Sequence, residues 1–141
     1  MEFFSEIKSI TKEAIKPYGI MLDHINQEDG YEPLIKVNSR GWIWAILTFK
    51  NKTTDYIECH PTSKESFEPV FGISLIILSV PEDPTKTETF LLDKPIMLNE
   101  GVWHNVITIS DVSRVKITEN NDVTSEYHRY EKPIGVSLFY S

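Results

Sequence analysis

Apolar and polar positions alternate with a period of two over much of the chain, in short runs separated by turn-forming clusters. Trp42 to Phe49 is rich in aromatic and β-branched residues and reads as a strand. Tyr56 to His60 reads as the next, with Tyr56, Glu58 and His60 on one face, and Lys50 to Asp55 reads as the hairpin loop between the two strands. Ile73 to Val80 is apolar on both faces, the pattern of a strand covered on both sides. Thr87 to Leu92, Pro95 to Leu98, Trp103 to Ile109, Ser113 to Thr118, Tyr127 to Tyr130 and Ile134 to Tyr140 continue the series, and Ile20–Leu22 and Leu34–Val37 are shorter candidates. Gln27-Glu-Asp-Gly30, Asn38-Ser-Arg-Gly41, Pro81-Glu-Asp-Pro84 and Glu119-Asn-Asn-Asp122 carry turn chemistry.

One segment departs from this period. Ile7, Ile10, Ala14 and Ile15 recur at helical spacing, which predicts a helix over 5–16 that Pro17 stops. One short helix followed by many strands predicts an all-β sandwich or barrel in a single domain spanning residues 1–141.

Composition narrows the function classes. The net charge of -7, without a Lys/Arg cluster, argues against nucleic acid. No apolar stretch approaches the roughly 18 residues of a membrane span. The start, Met1-Glu-Phe-Phe-Ser-Glu-Ile, is acidic where a signal peptide would be basic, and the lone Cys59 excludes an internal disulfide. A soluble cytoplasmic protein is the expectation. No Rossmann glycine pattern, P-loop or paired-cysteine zinc motif occurs.

Candidate chemistry concentrates in Glu58-Cys-His60-Pro-Thr-Ser-Lys-Glu65-Ser-Phe-Glu-Pro-Val-Phe-Gly72, with a second histidine in Gly101-Val-Trp-His104-Asn. Inward-facing residues of neighbouring strands converge in a barrel lumen, so Glu58, His60, Glu65 and His104 can share one small-molecule pocket. Two imidazoles and two carboxylates suit a divalent metal such as Zn, Mn, Fe or Ni. They equally suit metal-free acid–base catalysis. Cys59 reads as a small strand residue. His24, beside a turn, and His128, in a charged stretch, are weaker candidates. Trp42 and Trp44 share a face, either as core packing or as an aromatic wall for a ligand. Lys50 and Arg114 are the cations best suited to meet a ligand carboxylate.

The pattern Glu58-x-His60-x-x-x-x-Glu65, then Gly72, then Gly101-x-x-His104 resembles the two motifs of the cupin superfamily. Those motifs offer His-x-His, a Glu after a short turn and a closing Gly, then a further His. Glu58 stands where the first His usually falls. The resemblance implies a double-stranded β-helix, a jelly-roll barrel, with His60, Glu65, His104 and Glu58 at the positions that would hold a metal. Within the superfamily the chain looks similar to the ureidoglycolate lyase family at three places: Thr11-Lys-Glu-Ala-Ile-Lys-Pro-Tyr18-Gly19, Glu58-Cys-His60-Pro61 with Phe67-Glu-Pro69 and Gly72, and Trp103-His104. It departs by Cys59 in place of Arg, Glu65 in place of Gln, and Asn105-Val106 in place of His-Pro. This second likeness implies cleavage of a carbinolamide, with Glu58 or Glu65 as base, His60 or His104 as acid, and a cation on the substrate carboxylate. A metal-dependent isomerase or dioxygenase and a non-catalytic metabolite-binding protein are the alternatives. Cupins commonly pair, so a homodimer is implied, for which Glu2-Phe-Phe4 and Val136 to Tyr140 offer apolar surface.

Overall fold

The structure, a computed structural model, describes residues 3, 4 and 6–135. Among these residues the chain forms β1 (Phe3–Phe4), β2 (Ile7–Ser9), α1 (Lys12–Ile15), β3 (Gly19–Met21), β4 (Trp42–Phe49), β5 (Thr54–Cys59) and β6 (Glu65–Phe71). It continues with β7 (Ser74–Ser79), β8 (Glu88–Leu91), β9 (Ile96–Leu98), β10 (Trp103–Thr108), β11 (Ser113–Asn120) and β12 (Glu126–Gly135). The strands make a seven-stranded sheet, β1-β12-β5-β10-β7-β8-β2, and a five-stranded sheet, β3-β9-β6-β11-β4.

The consecutive pairs β4 and β5, β6 and β7, β8 and β9, and β10 and β11 are divided between the sheets. Each connection therefore crosses the gap between layers. This is the jelly-roll pattern, a double-stranded β-helix. It corrects the reading of 50–55 as a hairpin loop, because β4 and β5 belong to different sheets.

Alternation fixes what each sheet buries. Ile76, Leu78, Phe90 and Val106 from the larger sheet meet Phe67, Ile96, Val115 and Ile117 from the smaller one in the main core. The opposite-parity residues Leu75, Ile77, Ile107 and Ile57 form a second cluster on the other face of the larger sheet, with Ile134 of β12. All six residues of β7 are buried as a result, as its apolar run predicts.

The predicted helix is only partly present. Thr11 Oγ1 caps it by accepting from the Ala14 amide at 3.0 Å, and the helix holds just one turn. Ile7 to Ser9 instead pairs with β8 in parallel. Ile10 and Ile15 are buried as the helical spacing requires, but Ile10 lies just beyond β2 and Ile15 ends the separate turn of helix. Leu34–Val37 forms no ladder: residues 22–41 run irregularly, and Leu34 and Ile35 are only half-buried. Val136 to Tyr140 and Glu2 lie outside the described residues.

Two glycines hold the frame at close approaches. A Cβ on Gly19 would lie 1.9 Å from the Met97 carbonyl oxygen on the neighbouring strand β9. Gly72 turns the chain from β6 to β7 with φ +80°, and a Cβ there would lie 2.2 Å from the Val112 carbonyl. The Tyr18-Gly19 pair is thus architectural. Tyr18 is buried against Phe90, and its hydroxyl donates to Glu88.

Candidate active site in the barrel lumen

Both sheets contribute to one polar cluster inside the barrel. On the larger sheet, β5 carries Glu58 and leads to His60, while β10 carries His104 directly opposite Glu58. On the smaller sheet, β6 begins with Glu65, which pairs with Glu119 of β11. Residues directly opposite in an antiparallel pair project to the same face, so register aims each pair together. The lumen is apolar beside them: the Phe67 ring meets His104 edge-on at 5.3 Å.

The distances define a convergent set. Glu65 Oε1 lies 2.7 Å from His104 Nε2 and 3.1 Å from His60 Nε2. Glu58 Oε1 is 3.8 Å from His104 Nε2 and 4.0 Å from His60 Nε2. Glu119 Oε1 is also 4.0 Å from His60 Nε2. His60, Glu65 and His104 are buried, at 6%, 4% and 3% exposure, so these groups meet in low dielectric rather than in water.

Each imidazole is oriented by its other nitrogen. His60 Nδ1 lies 3.0 Å from the Thr124 carbonyl and 3.1 Å from Ser125 Oγ. His104 Nδ1 lies 3.0 Å from the Val102 carbonyl. A carbonyl only accepts, so each Nδ1 carries a proton and Nε2 is the atom presented to the cluster.

Proton affinities are shifted accordingly. Burial pulls His60 down, but the Glu65 carboxylate, the Thr124 carbonyl and Glu58 outweigh it and raise it to about 9. Burial opposes the charged form of Glu65, yet His104 and His60 together lower it to about 2. His104 is raised by Glu65 against the cost of burial. Glu119 is raised, first by burial and then by the Glu65 charge. Cys59 is buried and its thiol is pushed up, by burial and then by Glu126 and Glu58, so it is no poised nucleophile.

The donor set also fits a divalent metal. Glu65 Oε1, His104 Nε2 and Glu119 Oε1 are buried without a hydrogen-bond partner, although Glu65 and His104 are 2.7 Å apart. The contact is close but off the hydrogen-bond axis. Ligands about 2.1 Å from a common ion stand about 3 Å apart at right angles, which is the spacing of Glu65 from both imidazoles. Glu58, His60 and His104 form one group of compatible ligand atoms, and His60, Glu65 and Glu119 a second.

A cavity of about 540 Å³ reaches Glu58 from outside. Leu47, Phe49, Val106 and Pro133 give it apolar walls, and Asn51, Thr54, Tyr56 and Asn105 give it polar ones. Asn105 bridges the strands where β5 and β10 diverge, donating to Thr54 Oγ1 at 2.8 Å and the Tyr56 carbonyl at 3.0 Å. A larger cavity of about 680 Å³ is lined by Lys8, Glu88 and Tyr130 among others, and by none of the cluster residues.

The structure therefore brings Glu58, His60, Glu65 and His104 together, and it leaves the other four sequence candidates outside. Trp42 and Trp44 are 60% and 69% exposed. They do share a face, but Ala45 and Phe49 take the core side of β4, so the tryptophans point away from the lumen. Arg114 stacks over the Phe71 ring at 5.1 Å and is exposed, while the adjacent Val115 is buried. Lys50 is exposed beyond the end of β4. Neither cation lines the cavity at Glu58. His24 pairs with Glu32 at 3.0 Å, and His128 packs between Trp103 and Tyr130. Glu119, Thr124 and Ser125 are the residues that sequence reasoning missed; the first sits one place beyond a predicted strand end, and the others orient His60 from a turn.

The fold is a jelly roll whose lumen holds a cluster of imidazoles and carboxylates. The sequence is similar to that of ureidoglycolate lyase from Agrobacterium fabrum, 28% identical over 127 residues that cover 74% of this chain and 76% of the relative. No family model matches the chain. Among solved structures, a mutant of Bacillus subtilis oxalate decarboxylase aligns with TM-score 0.43 and 13% identity, over 60% of this chain and 23% of that one. This chain thus spans under a quarter of the decarboxylase's length. Among the described residues no helix is long and apolar enough to cross a membrane.

Proposed function

We propose that the protein is a lyase that cleaves a carbinolamide, with ureidoglycolate or a related ureido hydroxy acid as substrate. The observation that carries this reading is the convergence of Glu58, Glu65, His60 and His104 at the end of a cavity of about 540 Å³. The likeness to ureidoglycolate lyase supports the choice of reaction.

The chemistry needs one base and one acid. Glu58 is the one member of the four that lines the cavity, and its side chain is 31% exposed, so it meets the incoming hydroxyl. As the carbinol O–H proton passes to Glu58, the C=O bond forms and the C–N bond breaks. The leaving urea nitrogen then takes a proton from His60, whose raised affinity keeps it an imidazolium at neutral pH. Ureidoglycolate gives glyoxylate and urea, with atoms balanced. Glu65 and His104 hold His60 in place and tune its charge.

A divalent metal, taking the place of the proton on His60 Nε2 and so replacing its role as acid, would be held by His60, His104, Glu65 and Glu58, and would supply positive charge that polarises a substrate oxygen. The partnerless buried atoms of Glu65 and His104 favour this metal-dependent version. Elemental analysis and titration with Zn and Mn test it; neither bound metal nor affinity would remove it. For the reaction itself, purified protein is incubated with ureidoglycolate, and glyoxylate and urea are followed with and without added metals. No turnover under either condition would sink the lyase reading.

The homodimer implied by the cupin likeness is also proposed. It is supported by Trp42, Trp44 and Ile46, all exposed on the edge strand β4.

A further inference from the structure

A substrate carboxylate needs a positive partner, and among the described residues the cavity wall at Glu58 has none. Its charged lining residues are Asp55 and Glu58, both acidic. Just at the rim stands Arg129. The register of β12 on β5 sets Arg129 opposite Tyr56 and Tyr127 opposite Glu58. Opposed residues share a face, so Arg129 projects on the side that bears Glu58. Its guanidinium carbon lies 5.5 Å from the centroid of the Tyr56 ring, and its Nη1 lies 3.4 Å from Asp55 Oδ1. Tyr56 and Asp55 both line the cavity.

The guanidinium is positioned but not consumed. Its side chain is 74% exposed and, among the described residues, makes a single long hydrogen bond to Asp55. A guanidinium has five donors in a planar fork that matches a carboxylate. Stacking on Tyr56 holds the plane while leaving the fork open. Two strand positions, about 7 Å, separate Arg129 from the register of Glu58, a gap that a long arginine side chain spans.

We propose that Arg129 is the specificity-determining residue that binds the substrate carboxylate at the cavity rim and presents the carbinol carbon to Glu58. The proposal rests on the lyase reading and adds the group that selects an acid over its uncharged counterpart.

The test compares two substrates that release the same product. Ureidoglycolate carries the carboxylate. N-(hydroxymethyl)urea lacks it, and the same cleavage converts it to formaldehyde and urea. Urea release is followed for the wild-type chain, Arg129→Gln, Arg129→Lys and the control Arg114→Gln. The ratio of kcat/KM for ureidoglycolate over hydroxymethylurea is expected to fall at least tenfold in Arg129→Gln, mainly through KM. Arg129→Lys recovers part of it, and Arg114→Gln leaves it unchanged. An unchanged ratio in Arg129→Gln overturns the proposal while leaving the lyase reading intact. Should the wild type release urea from neither substrate, the lyase reading falls. Calorimetric titration with glycolate then decides the role of Arg129: at least tenfold weaker binding by Arg129→Gln supports it, and equal affinity or no binding by the wild type overturns it.

Discussion

Glu65 Oε1 stands 2.7 Å from His104 Nε2 in the barrel interior, and neither atom has a hydrogen-bond partner. Two acceptors at that distance need a proton or a cation between them. Addition of Zn or Mn is therefore expected to raise the thermal midpoint of unfolding, since a ligand that binds only the folded state stabilises it by mass action. Glu65→Gln and His104→Ala should each lower metal affinity at least tenfold in calorimetry. Affinity equal to that of the wild type in both variants would remove Glu65 and His104 from the ligand set.

The same cluster sets a pH window for the metal-free protein. Glu65 is lowered to about 2 from an ordinary 4.5, so its contribution to stability is complete above 4.5 and is lost as pH falls toward 2. His60 is raised to about 9 from 6.5, so its contribution is complete below 6.5 and is lost as pH rises toward 9. His104 is raised and acts in the same direction as His60. From Glu65 and His60 the urea midpoint should be highest between pH 4.5 and 6.5 and decline on both sides, with the raised Glu119 adding a loss of stability as pH rises above 4.5. In Glu65→Gln the alkaline decline should shrink, because the charge that raises both imidazoles is gone. An unaltered alkaline limb would contradict the assignment.

Catalysis separates the roles within the cluster. Glu58→Gln should reduce kcat on ureidoglycolate by about 10²-fold or more, the usual loss for a general base. Ser125→Ala removes one of the two contacts at His60 Nδ1 and should cost less, with the pH profile of kcat shifted. The Thr124 carbonyl still orients the ring. Equal losses in the two variants would argue that Glu58 only positions groups.

Much of this site was legible because strand alternation and one dense segment carry it. Glu58 and His60 differ by two positions, so they face the same way whatever the strand pairs with. Glu119 was not legible, because its place beside Glu65 depends on the β11–β6 register, more than fifty residues apart in sequence. Thr124 and Ser125 reach His60 over a similar separation. Alternation also left open which parity of β4 meets the core. Trp42 and Trp44 share one face, but the smaller Ala45 and the terminal Phe49 occupy the buried one. The helix over 5–16 failed for a related reason. Ile7 and Ile10 fit a helical spacing, yet β8 offers Ile7 a strand partner, and a parallel ladder satisfies more backbone groups than one further turn of helix.

Gly19 and Gly41 provide a paired test of the frame. Gly19→Ala drives a Cβ to 1.9 Å from the Met97 carbonyl, where backbone must move. It should cost about 3 kcal/mol in urea unfolding. Gly41 has φ +86° but no heavy atom within 4 Å of a Cβ, so Gly41→Ala should cost only the left-handed penalty of about 1 kcal/mol. Similar costs for both would mean that the β3–β9 approach relaxes more easily than its geometry requires.

Trp44 bears on assembly. The edge of β4 has no strand partner among the described residues, and its outward face exposes Trp42, Trp44 and Ile46 at 60%, 69% and 60%. Aromatic side chains bury 150–250 Å² each, with tryptophan the largest, so the two tryptophans alone supply roughly 300 Å² of exposed surface toward the 800 Å² per partner of a standard interface. Pairing of two β4 edges about a twofold axis would satisfy the open backbone groups and cover the same side chains on both copies. Sedimentation at micromolar concentration should show a dimer for the wild type and a monomer for Trp44→Asp, because a carboxylate buried without a partner in that face is strongly disfavoured. A wild-type monomer would dismiss the dimer, whereas a dimer that survives Trp44→Asp would move the interface away from β4.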